Sequence, residues 1–216
     1  MLTAADARRL QDCLRGGGVA VLPSDTVYGL ACDPHNEQAV RRLYALKGRP
    51  PRKPTAVMFF ALELAMAELT ELTAPERAAA RALLPGPVTL LLPNPRRRFP
   101  LAGGPQAGVL GVRVPRLAGP LGALAGVRCA ALASSANLAG AAKEPRCLEQ
   151  VPAELRRAAD LALDGGELPG TASTVVDLCH YASSGDWRVV RPGALSEAQL
   201  RRDLGHAGCV DVVADP

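Results

Sequence analysis

Between Leu46 and Pro54 the chain reads LKGRPPRKP, and four cations, Lys47, Arg49, Arg52 and Lys53, fall within seven residues. Gly48, Pro50, Pro51 and Pro54 punctuate them. Proline fixes φ and removes a backbone donor, so such a loop resists dissolving into helix or sheet and can hold its charges where an anion will arrive. A solvated charged turn is the competing reading of the same residues. The chain has only three lysines, Lys47, Lys53 and Lys143, among its 25 basic residues. Two belong to this loop and the third follows an SSAN stretch, which suggests positions that need a compact ammonium on a long stem.

Other residues could do related chemistry. Ser134, Ser135 and Asn137 end a small-residue apolar run that starts at Ala130. Side chains of that size let a phosphate or ribose approach the backbone and offer donors and acceptors, although the same residues could cap a helix. Ser24, Asp25 and Thr26 follow an apolar run ending at Pro23. They read either as an ordinary polar turn or as ligand-facing groups at a strand end. Arg113 alternates out of phase with Leu110, Val112 and Val114; it either faces solvent or, in a sheet lining a cleft, clamps a carboxylate. Ser173-Thr174 opens another run, and Arg191 ends one beside Pro192-Gly193. Arg96 to Arg98 lie in the Pro93–Pro105 stretch, which reads as a solvated loop or as a tRNA or phosphate contact.

The elements that must position these groups follow from punctuation and periodicity. Thr3 to Arg15 predicts a helix capped by Thr3, with Asp6 in its first turn and three glycines as its stop. Asn36 to Leu46 predicts a second helix that delivers Lys47 and Arg49 just past its C-terminus. A third starts near Thr73, where Pro75 suits the first turn, and breaks at Leu84-Pro85-Gly86-Pro87. Further helices are expected around Pro152–Ala159 and over Ser196–Leu204, the latter opened by a capping box of Ser196 and Gln199. Strands are expected at Val19–Leu22, Ala56–Leu62, Val88–Leu92, Val109–Val114, Leu161–Leu163, Ser173–Leu178 and Arg188–Arg191. Alternation without a repeating period points to an α/β or mixed-sheet single domain.

Composition sets the bounds. A chain of 216 residues with 48% hydrophobic content buries an ample core. A net charge of +4 suits an anionic ligand but is too small for a protein that coats nucleic acid. Aromatics at 3% argue against base-stacking platforms, so a small phosphorylated ligand fits better. Cys13, Cys32, Cys129, Cys147, Cys179 and Cys209 include no close pair, so neither a zinc site nor a disulfide framework is indicated; they read as buried thiols in a reducing compartment. With no secretory leader pattern and no long uncharged apolar run, a cytosolic protein with no membrane role is expected. Walker A, G-x-G-x-x-G and serine-elbow patterns are lacking.

Taken together, PSDTVYGL at 23–30, LKGR at 46–49, Lys53-Pro54, LPGPVT at 84–89, GVRVP at 111–115, Ser135-Ala136-Asn137, STVVD at 173–177 and Arg191-Pro192-Gly193 resemble the YrdC family. Every landmark is in order from about residue 10 to 195, and the K-x-R plus S-x-N combination is the family's signature. The resemblance implies one domain over residues 1–216, a twisted open sheet of mixed parallel and antiparallel strands flanked by helices, with a positively charged concave groove. It also implies synthesis of threonylcarbamoyl-AMP and pyrophosphate from L-threonine, bicarbonate and ATP, the first step of tRNA threonylcarbamoyladenosine modification. Mg2+ would be bound with the nucleotide and not in a metal site of the protein, and the product would pass to a downstream threonylcarbamoyl transferase.

Residue by residue, the family pattern assigns Lys47, Arg49, Ser135, Asn137 and Arg191 to the ATP phosphates and the bicarbonate-derived carboxylate, with Lys53 a further nucleotide contact. Lys47 and Arg49 would be the catalytic cations, and Thr26, Arg113 and Ser173 would hold threonine. Two departures stand out. Met58 occupies the place where many members carry a histidine, and the extra C-terminal domain of some members, with its linker, has no counterpart. The alternative function is that of a non-catalytic YrdC-like paralogue that binds duplex RNA or tRNA.

Overall fold

The computed structural model describes residues 1–50, 53–140 and 143–207. Arg52 in the basic loop and Cys209 lie outside the described residues.

Helix α1, Ala4–Arg15, starts at the expected cap: Asp6 N donates to Thr3 Oγ1 at 3.3 Å and Thr3 N donates to the Asp6 carboxylate at 2.9 Å. Strands β1, Ala20–Pro23, and β2, Tyr28–Cys32, then form an antiparallel hairpin. Sequence reasoning treated 24–30 as a polar stretch after one strand and missed β2. The polar character is confined to the turn, because Ser24 Oγ accepts from Thr26 N at 3.2 Å and Val27 N at 3.3 Å and donates to Val27 O at 2.8 Å. From Tyr28 onward the chain is apolar and mostly buried.

Helix α2, Glu37–Leu46, is capped by Asn36, whose Oδ1 accepts from Ala39 N at 3.0 Å. Strand β3, Ala56–Met58, is shorter than the Ala56–Leu62 expectation. Leu62–Glu68 forms α3 instead, a run of good helix formers whose Ala65 and Met66 are buried. Helix α4, Ala74–Leu83, carries its early proline as expected and in addition a capping box of Thr73 and Glu76, and β4, Val88–Pro93, follows.

The 93–105 stretch is a correction to the solvated-loop reading. Asn94 is buried and ties it together, donating to Arg98 O at 2.9 Å and Ala107 O at 3.0 Å and accepting from Arg98 N at 2.8 Å. A short turn of helix, α5, Pro100–Gly103, lies within it. Arg98 is engaged with Glu71 at 2.9 Å, whereas Arg96 and Arg97 are exposed.

Strand β5, Val109–Arg113, leads through a 3-10 segment, Gly119–Gly126, to β6, Ala131–Ser135. Helix α6, Ala153–Ala158, and strands β7, Leu161–Ala162, β8, Thr174–Asp177, and β9, Arg188–Arg191, come next, with α7, Tyr181–Ser184, between the last two. Helix α8, Glu197–Ala207, starts at the predicted box, where Ser196 N donates to Gln199 Oε1 at 3.1 Å.

All nine strands share one sheet in the order β7-β1-β2-β6-β3-β5-β4-β8-β9. The pairs β1/β7, β3/β5 and β4/β8 are parallel and the remaining five antiparallel, so the fold is the expected single α/β domain with a mixed open sheet flanked by helices. Alternation divides the faces. Val57, Leu90, Leu110, Val112, Leu132 and Val176 belong to the buried core on one side. The opposite side carries the cavity described next.

The cysteine reading needs one correction. Cys13, Cys32, Cys129, Cys147 and Cys179 are free, as expected, but only Cys32 is buried; the others are half-buried. Among the described residues no helix is long and apolar enough to cross a membrane.

Candidate active site

One face of the sheet is lined by small residues near its centre. Gly29, Ala56, Gly111 and Ala133 form part of the lining of a cavity of about 330 Å3. A side chain on Gly111 would begin 3.3 Å from Ala56 Cα, already tighter than ordinary contact. Strand register then sets a row of side chains across this face, because Met58 pairs with Arg113, Arg113 with Thr89, Thr89 with Val175 and Val175 with Arg191. All five line the cavity.

At one end stands Arg113, only 8% exposed. Its Nη1 donates to Gly86 O at 3.3 Å and Val88 O at 3.2 Å, and its Nη2 donates to Asp25 Oδ1 and, at 2.9 Å, to Thr26 Oγ1. The N–H groups of both terminal nitrogens therefore already have acceptors. The two terminal nitrogens are thus engaged within the protein and do not form an open bidentate clamp. Burial draws the guanidinium below its usual pKa, with Asp25 opposing and Arg191 reinforcing the shift. Asp25 also accepts from Arg116 N at 2.9 Å, which fastens the β1–β2 turn to the end of β5.

Beside Arg113 lie four hydroxyls in two pairs. Thr26 Oγ1 is 3.0 Å from Ser24 Oγ, and Ser173 Oγ is 2.8 Å from Thr89 Oγ1. Arg191 Nη2 donates to Ser173 O at 2.7 Å. The close approach of β9 to this segment requires Gly193, since a Cβ there would fall 2.4 Å from Ala172 O and 2.5 Å from Thr174 N.

The other end is built by the turn after α2. Gly48 at φ +59° lets the chain reverse, and Arg49 N closes the turn on Tyr44 O at 2.9 Å. Tyr44 fixes the returning strand, with its hydroxyl 2.8 Å from Lys53 O and 2.7 Å from Thr55 Oγ1. Arg49 sits 5.9 Å from the Tyr44 ring centroid and points along the cavity wall.

Lys47 does not line the cavity. It is 2% exposed and lies behind the SSAN stretch, where Nζ donates to Ser135 O, to Asn137 O at 2.8 Å and to Asn137 Oδ1 at 3.3 Å. Burial lowers its pKa to about 8, with Arg49 adding to the shift and Glu144 opposing it. Ser135 Oγ donates to Asn137 Oδ1 at 2.6 Å, so the S-x-N residues and the lysine form one cluster.

Of the residues singled out in the sequence, Thr26, Arg49, Arg113, Ser135, Ser173 and Arg191 line the one cavity. Lys47 and Asn137 support its wall, and Lys53 is exposed outside it. Asp25, offered by the sequence as a possible ligand-facing group, is instead paired with Arg113. Sequence reasoning missed Thr89 and Glu144 as site residues. Thr89 was open to detection, since it shares the alternation of Leu91 on β4, whereas Glu144 lies between regular elements, where periodicity is silent. Among the described residues no group of three His, Cys, Asp or Glu could hold a metal ion.

A mixed α/β open sheet that carries on one face a small-residue cavity lined by Arg49, Arg113 and Arg191 defines the class of fold and site. The sequence profile of the Sua5_yciO_yrdC family, described as "Telomere recombination", matches residues 12–193, and the chain belongs to that family. It is 29% identical over 197 residues to threonylcarbamoyl-AMP synthase of Pyrococcus abyssi, covering 89% of this chain and 55% of that protein. It is 33% identical over 192 residues to the human threonylcarbamoyl-AMP synthase, covering 86% of this chain and 66% of the other. The chain thus spans about half to two thirds of the length of these relatives. The crystal structure of Pyrococcus abyssi Sua5 complexed with L-threonine superimposes with a TM-score of 0.79 at 28% identity, covering 95% of this chain and 59% of that one.

Proposed function

We propose that this chain is a threonylcarbamoyl-AMP synthase, which joins L-threonine, bicarbonate and ATP to give threonylcarbamoyl-AMP and pyrophosphate. The observation that carries the reading is the single cavity with Arg49 and Ser135 in one part of its wall and Thr26, Arg113, Ser173 and Arg191 in another. Its volume suits small ligands. The names of the relatives support the same activity.

In this reading the amino acid lies at the Arg113 end. The charge of Arg113 attracts the carboxylate, and the hydroxyls of Thr26, Ser173 and Thr89 meet the amine and hydroxyl. The threonine amine adds to bicarbonate with loss of water, giving an N-carboxylate. One of its oxygens forms a bond to the α-phosphorus while the bond from that phosphorus to the bridging oxygen of pyrophosphate breaks. Arg49 and Arg191 bear on the charge that develops on the phosphoryl oxygens and the leaving group, so the chain acts by positioning and electrostatic stabilisation. Lys47 holds the Ser135 and Asn137 wall at the phosphates. No histidine base is needed where Met58 stands.

Magnesium arrives with the nucleotide in this scheme. Among the described residues the cavity lining offers one carboxylate, that of Glu144, too few for a protein-only cage, and no step is routed through the ion. The product serves as donor for a downstream transferase that modifies tRNA, in the cytosol.

Pyrophosphate release from purified protein with ATP, magnesium and bicarbonate, with threonine present, omitted or replaced by serine, tests the proposal. Threonine-dependent release is expected. Folded protein that binds duplex RNA but releases no pyrophosphate overturns it in favour of an RNA-binding paralogue.

A further inference from the structure

Among the described residues two buried side-chain polar atoms have no hydrogen-bond partner, Arg49 Nε and Glu144 Oε2. Both residues line the same cavity. One atom is a donor and the other an acceptor, yet the two residues form no ion pair with each other among those described. A buried polar atom left unpaired costs about 1–3 kcal/mol, so such atoms are expected to find partners when the site fills. A ligand that pairs both atoms offers an acceptor to Arg49 and a donor to Glu144. Inorganic phosphate or pyrophosphate supplies the first and little of the second. A ribonucleotide supplies both, through its phosphate oxygens and its sugar hydroxyls.

The position of Glu144 is fixed by its neighbours. Lys143 O accepts from Asn137 Nδ2 at 3.5 Å, and Pro145 O accepts from Tyr28 N at 3.0 Å, so the backbone is tied on both sides. Its carboxylate acts electrostatically on Lys47, which is itself bonded to Ser135 and Asn137. A metal dication held by Glu144 would be forced toward the charges of Lys47 and Arg49, whereas a hydroxyl carries no such penalty.

We propose that Glu144 is a specificity-determining residue that accepts a hydrogen bond from the ribose of the nucleotide, so that the site selects ribonucleotides. This rests on the adenylate-forming reading of the cavity. A carboxylate is a strong acceptor for sugar hydroxyls in general, and Glu144 Oε2 is the buried side-chain acceptor without a hydrogen-bond partner among the described residues.

The test is the affinity of the whole chain for ATP, 2′-deoxy-ATP, 3′-deoxy-ATP and inorganic triphosphate, measured by titration calorimetry for wild type, Glu144→Gln and Glu144→Ala, with thermal melts to check folding. Wild type is expected to bind at least one deoxynucleotide about 10-fold more weakly than ATP. Glu144→Ala should bind all three nucleotides alike, Glu144→Gln should restore part of the discrimination, and triphosphate affinity should not fall in either. Wild-type protein that binds ATP and both deoxynucleotides equally overturns the assignment and leaves the synthase reading standing. A uniform change for every ligand, or an altered magnesium dependence with the ATP preference intact, also overturns it, since Glu144 would then act on Lys47 or on the ion. Failure of wild type to bind ATP removes the synthase reading together with the assignment.

Discussion

The ammonium of Lys47 lies 2.8 Å from the main-chain oxygen of Asn137 and also donates to the main-chain oxygen of Ser135, so the first basic residue of the loop is a strut for the S-x-N segment. Among the described residues of this loop, the charge that faces the cavity is that of Arg49. Lysine and arginine two residues apart thus have different tasks, one buried behind a wall and one in front of it.

The lowered pKa of Lys47 gives a pH signature. The folded protein releases this proton near pH 8, and the unfolded chain near the ordinary lysine value of about 10.4. Between these values the unfolded state binds more protons, so the contribution of this group to stability rises with pH across that window and is flat below it. Urea midpoints of wild type and Lys47→Met at pH 7.5 and 9.5 should diverge in favour of wild type at the higher pH. A constant gap would show that the ammonium is not perturbed. Pyrophosphate affinity should fall in wild type as pH climbs through 8, and should be weak and flat in the variant.

Asp25 and Arg113 are both nearly buried, with side chains 10% and 9% exposed. Removing one partner of such a pair costs about 3–5 kcal/mol, because the other charge is stranded. Asp25→Ala should lose that much in equilibrium urea unfolding, and Asp25→Ala with Arg113→Met should lose less than the sum of the single changes. Additivity would mean that the ion pair contributes nothing.

Thr89 lines the cavity, with its hydroxyl 2.8 Å from that of Ser173. Thr89→Val keeps the shape and deletes the oxygen. The expected result is a rise of about 10-fold in KM for threonine with little change in KM for ATP. An equal rise in both would point to a general distortion of the sheet.

Gly193→Ala would set a methyl group against the backbone of 172–174. Overpacking of this kind costs about 1–3 kcal/mol, and the shift should be felt at Ser173 and Arg191. A lower melting temperature together with weakened threonine binding is expected; an unchanged melting temperature would show that β9 has room to move.

Much of this was legible in the sequence because local rules act on short windows. Thr3, Asn36, Thr73 and Ser196 mark helix starts that the structure reproduces. Arg113 was placed on the correct face by alternation alone. What escaped was set by distant partners. Tyr28–Cys32 is a strand because β1 and β6 flank it, and Ala56–Met58 stops early because the residues beyond it pack as helix α3. The pairing of Arg113 with Asp25 joins residues 88 positions apart, which no window spans. Arg98 looked like one of three free cations until Glu71 and Asn94 met it.

Strands β7 and β8 are separated in the chain only by 163–173, yet they lie far apart in the order of the sheet. The segment crosses the sheet with bends at Gly166 and Gly170, both in the left-handed region. On its way the segment donates from Leu168 N to Arg146 O at 2.7 Å and from Gly170 N to Thr26 O at 2.9 Å, and then brings Ala172 and Ser173 to the cavity. It works as a tie across the molecule, fastened on its way to the residues after β6 and to the β1–β2 turn. Amides at 168 and 170 should therefore exchange with solvent only in concert with the central strands, and the ligand cavity should come into existence at the last step of folding, when residue 170 reaches residue 26.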